Sequence, residues 1–401
     1  MNKLKSIWKI EELRQKILVT LLLLLVFRLG CCLPVPFVSN TALDAMFTND
    51  SIFGYMNMLS GGALSRCAFF ALGVSPYINS SIITQLLCVV FPSWEALQKE
   101  TTGKDMNIIY TASRKERVHV EQIIREQPIL PHECVDISTV AVSKRMGLSM
   151  NIYKQSIGFK GPRPIIIDVH GGGLIAGRKE QNQNLCLTLA QHGYLTFAPD
   201  YRLVPETDIF GQISDVLEAI SMVADIAPTY GGDLNNVFVV ADSAGAFLAS
   251  MAIATMHNPN EMRPVIHRLD RKSVPQNIKD LRVGAMGFQS GMFYIYKGQV
   301  GLLANSYMEK RWRKQDYAAI IRPENYCKLL PQCFVCSGKD DFLKAQTKQF
   351  VKLLKADGRS YRYVFSDDKG SDHAYAALHP ETEWGEMAND KMLAFFDRCK
   401  R

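Results

Sequence analysis

The sequence predicts a two-part chain: an all-α membrane segment with two candidate transmembrane helices, then an α/β unit with a mostly parallel central sheet flanked by helices and a helical cap. Three observations predict it. The first hundred residues are far more apolar than the rest. From about residue 135, short apolar runs alternate with helical stretches, the rhythm of a βα-rich sheet. A serine among tiny residues then stands where an apolar strand runs into a helix.

The bulk properties agree. At 401 residues, two units are the expectation. Hydrophobic residues make up 47% and charged residues 21%, enough to bury a real core. The net charge of +7 is carried by scattered Lys and Arg, with no basic cluster interleaved with aromatics, so no nucleic-acid partner is expected. The ten cysteines are spread thinly and do not read as a disulfide framework, which points to a reducing compartment. Cys333 and Cys336 form a C-x-x-C inside an apolar run with no second pair to complete a zinc site, so core packing is expected of them.

In the N-terminal part, Ile17 to Phe27 is apolar on every helical face. It is short for a span, which needs about 20 residues, but extension through Arg28 to Leu33 supplies the length. The candidate spans are therefore residues 17–33 and 67–91; the second holds Pro76, Asn79 and Ser80 and suits a protein-lined cavity. Lys3, Lys5, Lys9, Arg14 and Lys16 precede the first span, and Lys99, Lys104, Arg114, Lys115 and Arg117 follow the second. The positive-inside rule puts both ends in the cytoplasm and the connecting loop outside. A signal peptide is the rival reading, from the small residues near Gly30-Cys31, but Arg28 lies where that site should be apolar.

Residues 1–104 resemble the N-terminus of SecY, the channel subunit of the bacterial protein translocase. The resemblance rests on Glu12-Leu13-Arg14-Gln15-Lys16-Ile17, Arg28-Leu29-Gly30, Pro34-Val35-Pro36, Met58 through Ser65, and Phe70 through Ile78. It implies a first transmembrane helix, a plug-like region and a second helix, with membrane lipid as the segment's partner. That family builds its pore from many more helices in two halves, and this chain has nothing like the rest. Translocation and translocase partners are therefore not expected.

The resemblance fades at Glu100-Thr101-Thr102-Gly103-Lys104, a polar stretch of junction composition. So abrupt a switch suggests two unrelated coding regions joined in one frame, by fusion or by assembly error. A membrane protein with a cytoplasmic catalytic domain, residues 105–401, is expected from the whole frame, and a cytoplasmic enzyme from a product starting at Met106.

Strands are predicted over Val135–Val142, Met150–Lys154, Pro164–Val169, Tyr194–Pro199, Asn236–Val240, Arg282–Phe288, Gln332–Ser337 and Tyr361–Phe365. Helices are predicted over Ile213–Ile226, Ala244–His257 and Leu303–Ile320. In Val239-Val240-Ala241-Asp242-Ser243-Ala244-Gly245 the apolar strand meets a helix of Ala, Leu and Met at Ser243. This is the context of a nucleophile elbow, where small neighbours let the backbone fold tightly. Upstream, Asp168-Val169-His170-Gly171-Gly172-Gly173 places a glycine run after a strand, leaving backbone N–H groups free to approach an oxyanion. A phosphate loop would end in Gly-Lys-Ser/Thr, and a dinucleotide fingerprint has another glycine spacing. Downstream, Asp340-Asp341 and Asp372-His373 each follow a strand, giving the chain order Ser, Asp, His. His373 would take the Ser243 proton, and the carboxylate would orient the imidazole.

Together these motifs resemble the hormone-sensitive-lipase-like esterases of the α/β-hydrolase fold, the GDXG family, over residues 135–400. The match takes in His170 to Gly173 with Gly177 beyond, Asp200-Tyr201-Arg202-Leu203-Val204-Pro205-Glu206, the Ser243 elbow and the paired Asp and His loops. The resemblance implies Ser243, Asp341 and His373 as the triad, with the N–H groups of Gly171, Gly172 and Ala244 as oxyanion donors. Asp341 rather than Asp340 follows because Asp341-Phe342-Leu343 aligns with the family's Asp-Pro-Leu. Two departures stand out: Ala241 replaces the first glycine of the elbow, and Phe342 replaces the proline. The expected activity is hydrolysis of short-chain acyl or acetyl esters, with a small ester as partner and no cofactor. A lipase or peptidase using the same triad is the alternative, and a non-catalytic remnant is the third reading.

Overall fold

The computed structural model describes residues 104–401 except 145, 159–160, 298–307 and 310, with side chains from residue 113 onward. The chain divides into two compact units, Met1–Thr102 and Gly103–Arg401. The two candidate spans, the plug-like region and the positive-inside topology lie outside the described residues. Among the described residues, no helix is long and apolar enough to cross a membrane.

The second unit opens on helix α1 (Lys104–Glu126) and is built on eight strands. These are β1 (Val135–Ser143), β2 (Leu148–Gln155), β3 (Arg163–Val169), β4 (Leu195–Pro199), β5 (Gly232–Asp242), β6 (Val283–Gln289), β7 (Gln332–Gly338) and β8 (Tyr361–Ser366). They form one sheet in the order β1-β2-β4-β3-β5-β6-β7-β8. The β1–β2 and β2–β4 pairs are antiparallel, and every pair from β4–β3 to β7–β8 is parallel. Each predicted strand is present. The largest difference is at β5, which starts at Gly232 because Arg163 and Pro164 pair with Gly232 and Asp233 before the register shifts to Val237. Asp233 stabilises that irregular step by accepting from the Asn235 N–H and from the Asn236 amide.

The apolar runs are continuous because the sheet is covered on both faces. Along β5, Val237, Val239 and Ala241 belong to one core, while Phe238 and Val240 belong to the other. The first core receives α3 (Ile209–Ile226), α4 (Ser243–His257) and α5 (Lys344–Ala356). The second receives α6 (Glu383–Asp397) and part of α2 (Gln183–Gln191). In α4 every residue from Ser243 to Met256 is buried, so this helix is apolar all round where a surface helix would have a polar face.

Two helix expectations need correction. Helix α3 begins four residues earlier than Ile213, because the Asp208 carboxylate caps it by accepting from the N–H groups of Phe210 and Gly211. The predicted helix Leu303–Ile320 is replaced, over its described part, by two short 3-10 turns, Trp312–Lys314 and Asp316–Ala318. Arg311 breaks the run by adopting a left-handed backbone, φ 60°.

Candidate active site

Strand β5 delivers its last residue, Asp242, to the edge of the site, and the chain turns straight into α4. Ser243 makes that turn with φ 44°, a left-handed conformation that a residue with a side chain rarely adopts. The surrounding glycines are what the turn requires. A Cβ on Gly245 would lie 2.0 Å from the Val169 carbonyl oxygen, and one on Gly171 would lie 2.9 Å from the Ser243 Cβ. Ala241, which replaces the usual first glycine of the elbow, is fully buried in the core. The Ser243 carbonyl oxygen accepts from the Met292 N–H at 2.8 Å, which ties the turn to the loop after β6.

The structure brings Ser243, His373 and Asp341 together. His373 Nε2 lies 2.8 Å from Ser243 Oγ, and His373 Nδ1 lies 2.8 Å from Asp341 Oδ1. Asp341 is fully buried just beyond β7. Its Oδ2 accepts from the Ser337 hydroxyl at 2.8 Å, and its Oδ1 also accepts from the Leu343 N–H at 2.8 Å. Asp340 has a different role, accepting from the Gly370 N–H and so holding the loop that carries His373. Burial acts to raise the Asp341 pKa, but the His373 hydrogen bond and charge, with the Leu343 and Ser337 donors, outweigh it and leave the carboxyl below its ordinary value. Past His373, Ala374 has φ 57° and donates its N–H to the Ser290 hydroxyl, itself on a residue with φ 53°.

The glycine run follows β3. Gly172 and Gly173 have φ of 102° and 63°, conformations that favour glycine, and the Gly172 carbonyl accepts from the N–H groups of Ile175 and Ala176. Tyr201 braces this loop: its hydroxyl donates to the carbonyls of His170 and Gly171, and its ring stacks on His170 with centroids 4.2 Å apart. Arg117 pins α1 beside the same loop, donating to the Ile175 carbonyl and pairing with Glu206.

The three expected oxyanion donors stand on either side of the elbow: Gly171 and Gly172 in the loop after β3, and Ala244 directly after Ser243 in α4. Asp242 is held by Asn182, whose Nδ2 donates to Asp242 Oδ1 at 2.8 Å and to Asp168 Oδ2 at 3.1 Å. Burial pushes both of these carboxyls above their ordinary range.

Sequence reasoning missed Ser337, Ser290 and Asn182. Each is a small polar residue that acquires its role only through contacts distant in the chain. Tyr201 belongs to a motif the sequence does display, but nothing local indicates its contact with the glycine run. Cys333 and Cys336 are buried free thiols inside β7, their pKa pushed up to about 12 by burial. Among the described residues, no cluster of three or more His, Cys, Asp or Glu is placed to hold a metal ion. A cavity of about 310 Å³ near Leu217, Leu269 and Pro275 includes none of the triad.

Comparison with known proteins gives two kinds of match. The family model described as the alpha/beta hydrolase fold matches residues 166–377. Among solved structures, esterase B from Lactobacillus rhamnosis superposes with a TM-score of 0.63 at 21% identity, covering 74% of this chain and 95% of that one. A bacterial heroin esterase superposes with a TM-score of 0.56 at 18% identity, covering 73% and 92%. At these identities the likeness shows the fold. The SecY family model matches residues 68–118. The protein translocase subunit SecY of Streptomyces scabiei is 46% identical over 97 residues, which are 23% of this chain and 22% of that protein. That of Aquifex aeolicus is 43% identical over 99 residues, 24% and 23% of the two chains. The chain thus spans about a quarter or less of the length of these curated relatives.

Proposed function

The chain belongs to the α/β-hydrolase fold family, and from that premise we propose that its second unit is a serine hydrolase cleaving carboxylic esters with short acyl or acetyl groups. The observation that carries the reading is the relay of two 2.8 Å contacts, Ser243 Oγ to His373 Nε2 and His373 Nδ1 to Asp341 Oδ1. Neutral His373, donating from Nδ1 to Asp341, presents a lone pair on Nε2 to the serine hydroxyl.

In this mechanism Ser243 Oγ attacks the ester carbonyl while His373 takes its proton. The oxyanion that forms is met by the N–H groups of Gly171, Gly172 and Ala244, the last at the N-terminus of α4, where the helix dipole also favours negative charge. His373 then passes the proton to the departing alkoxide, leaving an acyl-serine and a free alcohol. Water, deprotonated by the same imidazole, attacks the acyl-serine; the acyl–Oγ bond breaks, His373 returns the proton to Ser243 Oγ, and the acid is released. The ionised Asp341 stabilises the imidazolium in both halves and stays a carboxylate throughout. Helix α1, pinned by Arg117 beside the glycine loop, supplies part of the expected helical cap.

For the N-terminal segment we propose membrane attachment, with lipid as its partner and the catalytic unit on the cytoplasmic side. The similarity to SecY over residues 68–118 supports this.

The test is turnover of p-nitrophenyl esters of increasing acyl length by the full chain and its Ser243→Ala variant. Loss of about 10⁴-fold or more in kcat is expected from the substitution. Equal rates in the two proteins would remove Ser243 from the mechanism.

A further inference from the structure

Phe342 stands where the resembled family has proline, and it is 68% exposed. A single exposed phenylalanine carries no meaning by itself. This one is set against the proposed base: its ring centroid lies 4.2 Å from that of His373, with the planes tilted by 39°. Its position is also fixed from both sides. Asp341 before it is fully buried and held by three donors, and Leu343 after it is buried with its N–H on Asp341. The backbone that carries the ring is therefore held by the same hydrogen bonds that set the triad, while much of the side chain faces solvent.

The chemistry says what that surface meets. In ester cleavage the proton on His373 Nε2 goes to the oxygen of the departing alkoxide, so that oxygen must sit within hydrogen-bond reach of the imidazole edge. The first carbons of the alcohol then lie beside the imidazole, within reach of a ring packed on it. The acyl chain leaves the carbonyl carbon in another direction. Resting on the esterase reading above, we propose that Phe342 is a specificity-determining residue whose ring forms the wall of the alcohol subsite and favours esters of apolar, above all aryl-bearing, alcohols. Proline at this position would leave a smaller, less polarisable wall.

The experiment measures kcat/KM of the full-length wild type, Phe342→Ala, Phe342→Pro and Phe342→Leu on two ester series. One holds the acetyl group fixed and varies the alcohol from ethyl to benzyl; the other holds the alcohol fixed and lengthens the acyl chain. Ser243→Ala is the background control in both. Because Phe342 is mostly exposed, its replacement leaves the core packing in place, which a thermal melt verifies.

For Phe342→Ala, kcat/KM is expected to fall roughly 3- to 10-fold more for benzyl than for ethyl acetate, chiefly through KM. Phe342→Leu retains part of the preference. The loss is independent of acyl length, and the pH profile of kcat/KM is unmoved. Equal losses across the alcohols, losses that follow the acyl chain, or a shifted pH profile with no alcohol preference would each overturn the proposal, since the ring would then act only through His373 or elsewhere. No change in any variant would overturn it as well. Wild type without Ser243-dependent turnover of any ester would sink the esterase reading together with this one. Ser243-dependent turnover with a flat alcohol ratio would sink this one alone.

Discussion

Ser243 sits in a backbone conformation that costs a non-glycine residue about 1–3 kcal/mol, and the packing around it must hold it there. Part of that packing is a buried acid pair: Asp168 and Asp242 share the Asn182 amide. Burial raises both acids, so the folded protein binds their protons more tightly than the unfolded chain does. The stability they contribute is then full below the ordinary carboxylate range and falls as pH rises towards their folded values. Asp341 has the opposite sign. Its lowered pKa adds stability above the ordinary carboxylate range, and that stability is lost as pH falls through its folded value. Asp168→Asn keeps an oxygen acceptor for Asn182 and removes one titrating acid. The difference in Tm between variant and wild type should therefore move in the variant's favour as pH rises from about 5 to about 8. A difference constant across that range would contradict the assignment of a raised pKa to Asp168.

At the scale of elements, the site is made where the ends of β3, β5, β7 and β8 meet the loops after them. The junction of β5 with α4 is packed against the end of β3, with Gly245 between them. Gly245→Ala would put a methyl group 2.0 Å from the Val169 carbonyl oxygen and 2.6 Å from that of His170, both backbone atoms that support the glycine loop. The expected cost is about 1–3 kcal/mol of stability, seen in a denaturant midpoint, together with a fall in ester turnover. Wild-type stability and turnover would show that the loop tolerates a shift the geometry forbids. The strands were legible because each is a short run of β-branched and apolar residues between turn signals. The Ser243 elbow and the glycine run were legible because their chemistry is local. Helix α5 was not, since Thr347, Phe350 and Leu354 are its only fully buried residues and charges surround them. Over the described part of 303–320 the helix was over-read because Trp312 and Tyr317 pack inward from short 3-10 turns. The bracing by Ser290, Ser337 and Tyr201 depends on tertiary contacts that no window of sequence contains.

At the scale of the molecule, two unlike pieces share one frame. The SecY-like match runs through residue 118, past Thr102 and into α1, while Arg117 in that same helix is bonded to Ile175 and Glu206 of the hydrolase unit. Helix α1 therefore serves the catalytic unit whatever its sequence resembles. If the N-terminal segment is made with the enzyme and inserts in lipid, the native product should stay in the membrane fraction after an alkaline wash, with an intact mass that includes Met1. A soluble product beginning at Met106 would contradict membrane attachment and leave the hydrolase to act alone. Everything proposed for the hydrolase depends on a serine at the end of β5 performing acyl transfer, and covalent labelling reads that chemistry at the atom concerned. The full-length protein should be treated with a fluorophosphonate and the modified peptide mapped by mass. One covalent adduct is expected, on Ser243, abolished by Ser243→Ala and formed more slowly in His373→Ala. No adduct, or an adduct on another residue that persists in Ser243→Ala, would contradict Ser243 as the nucleophile.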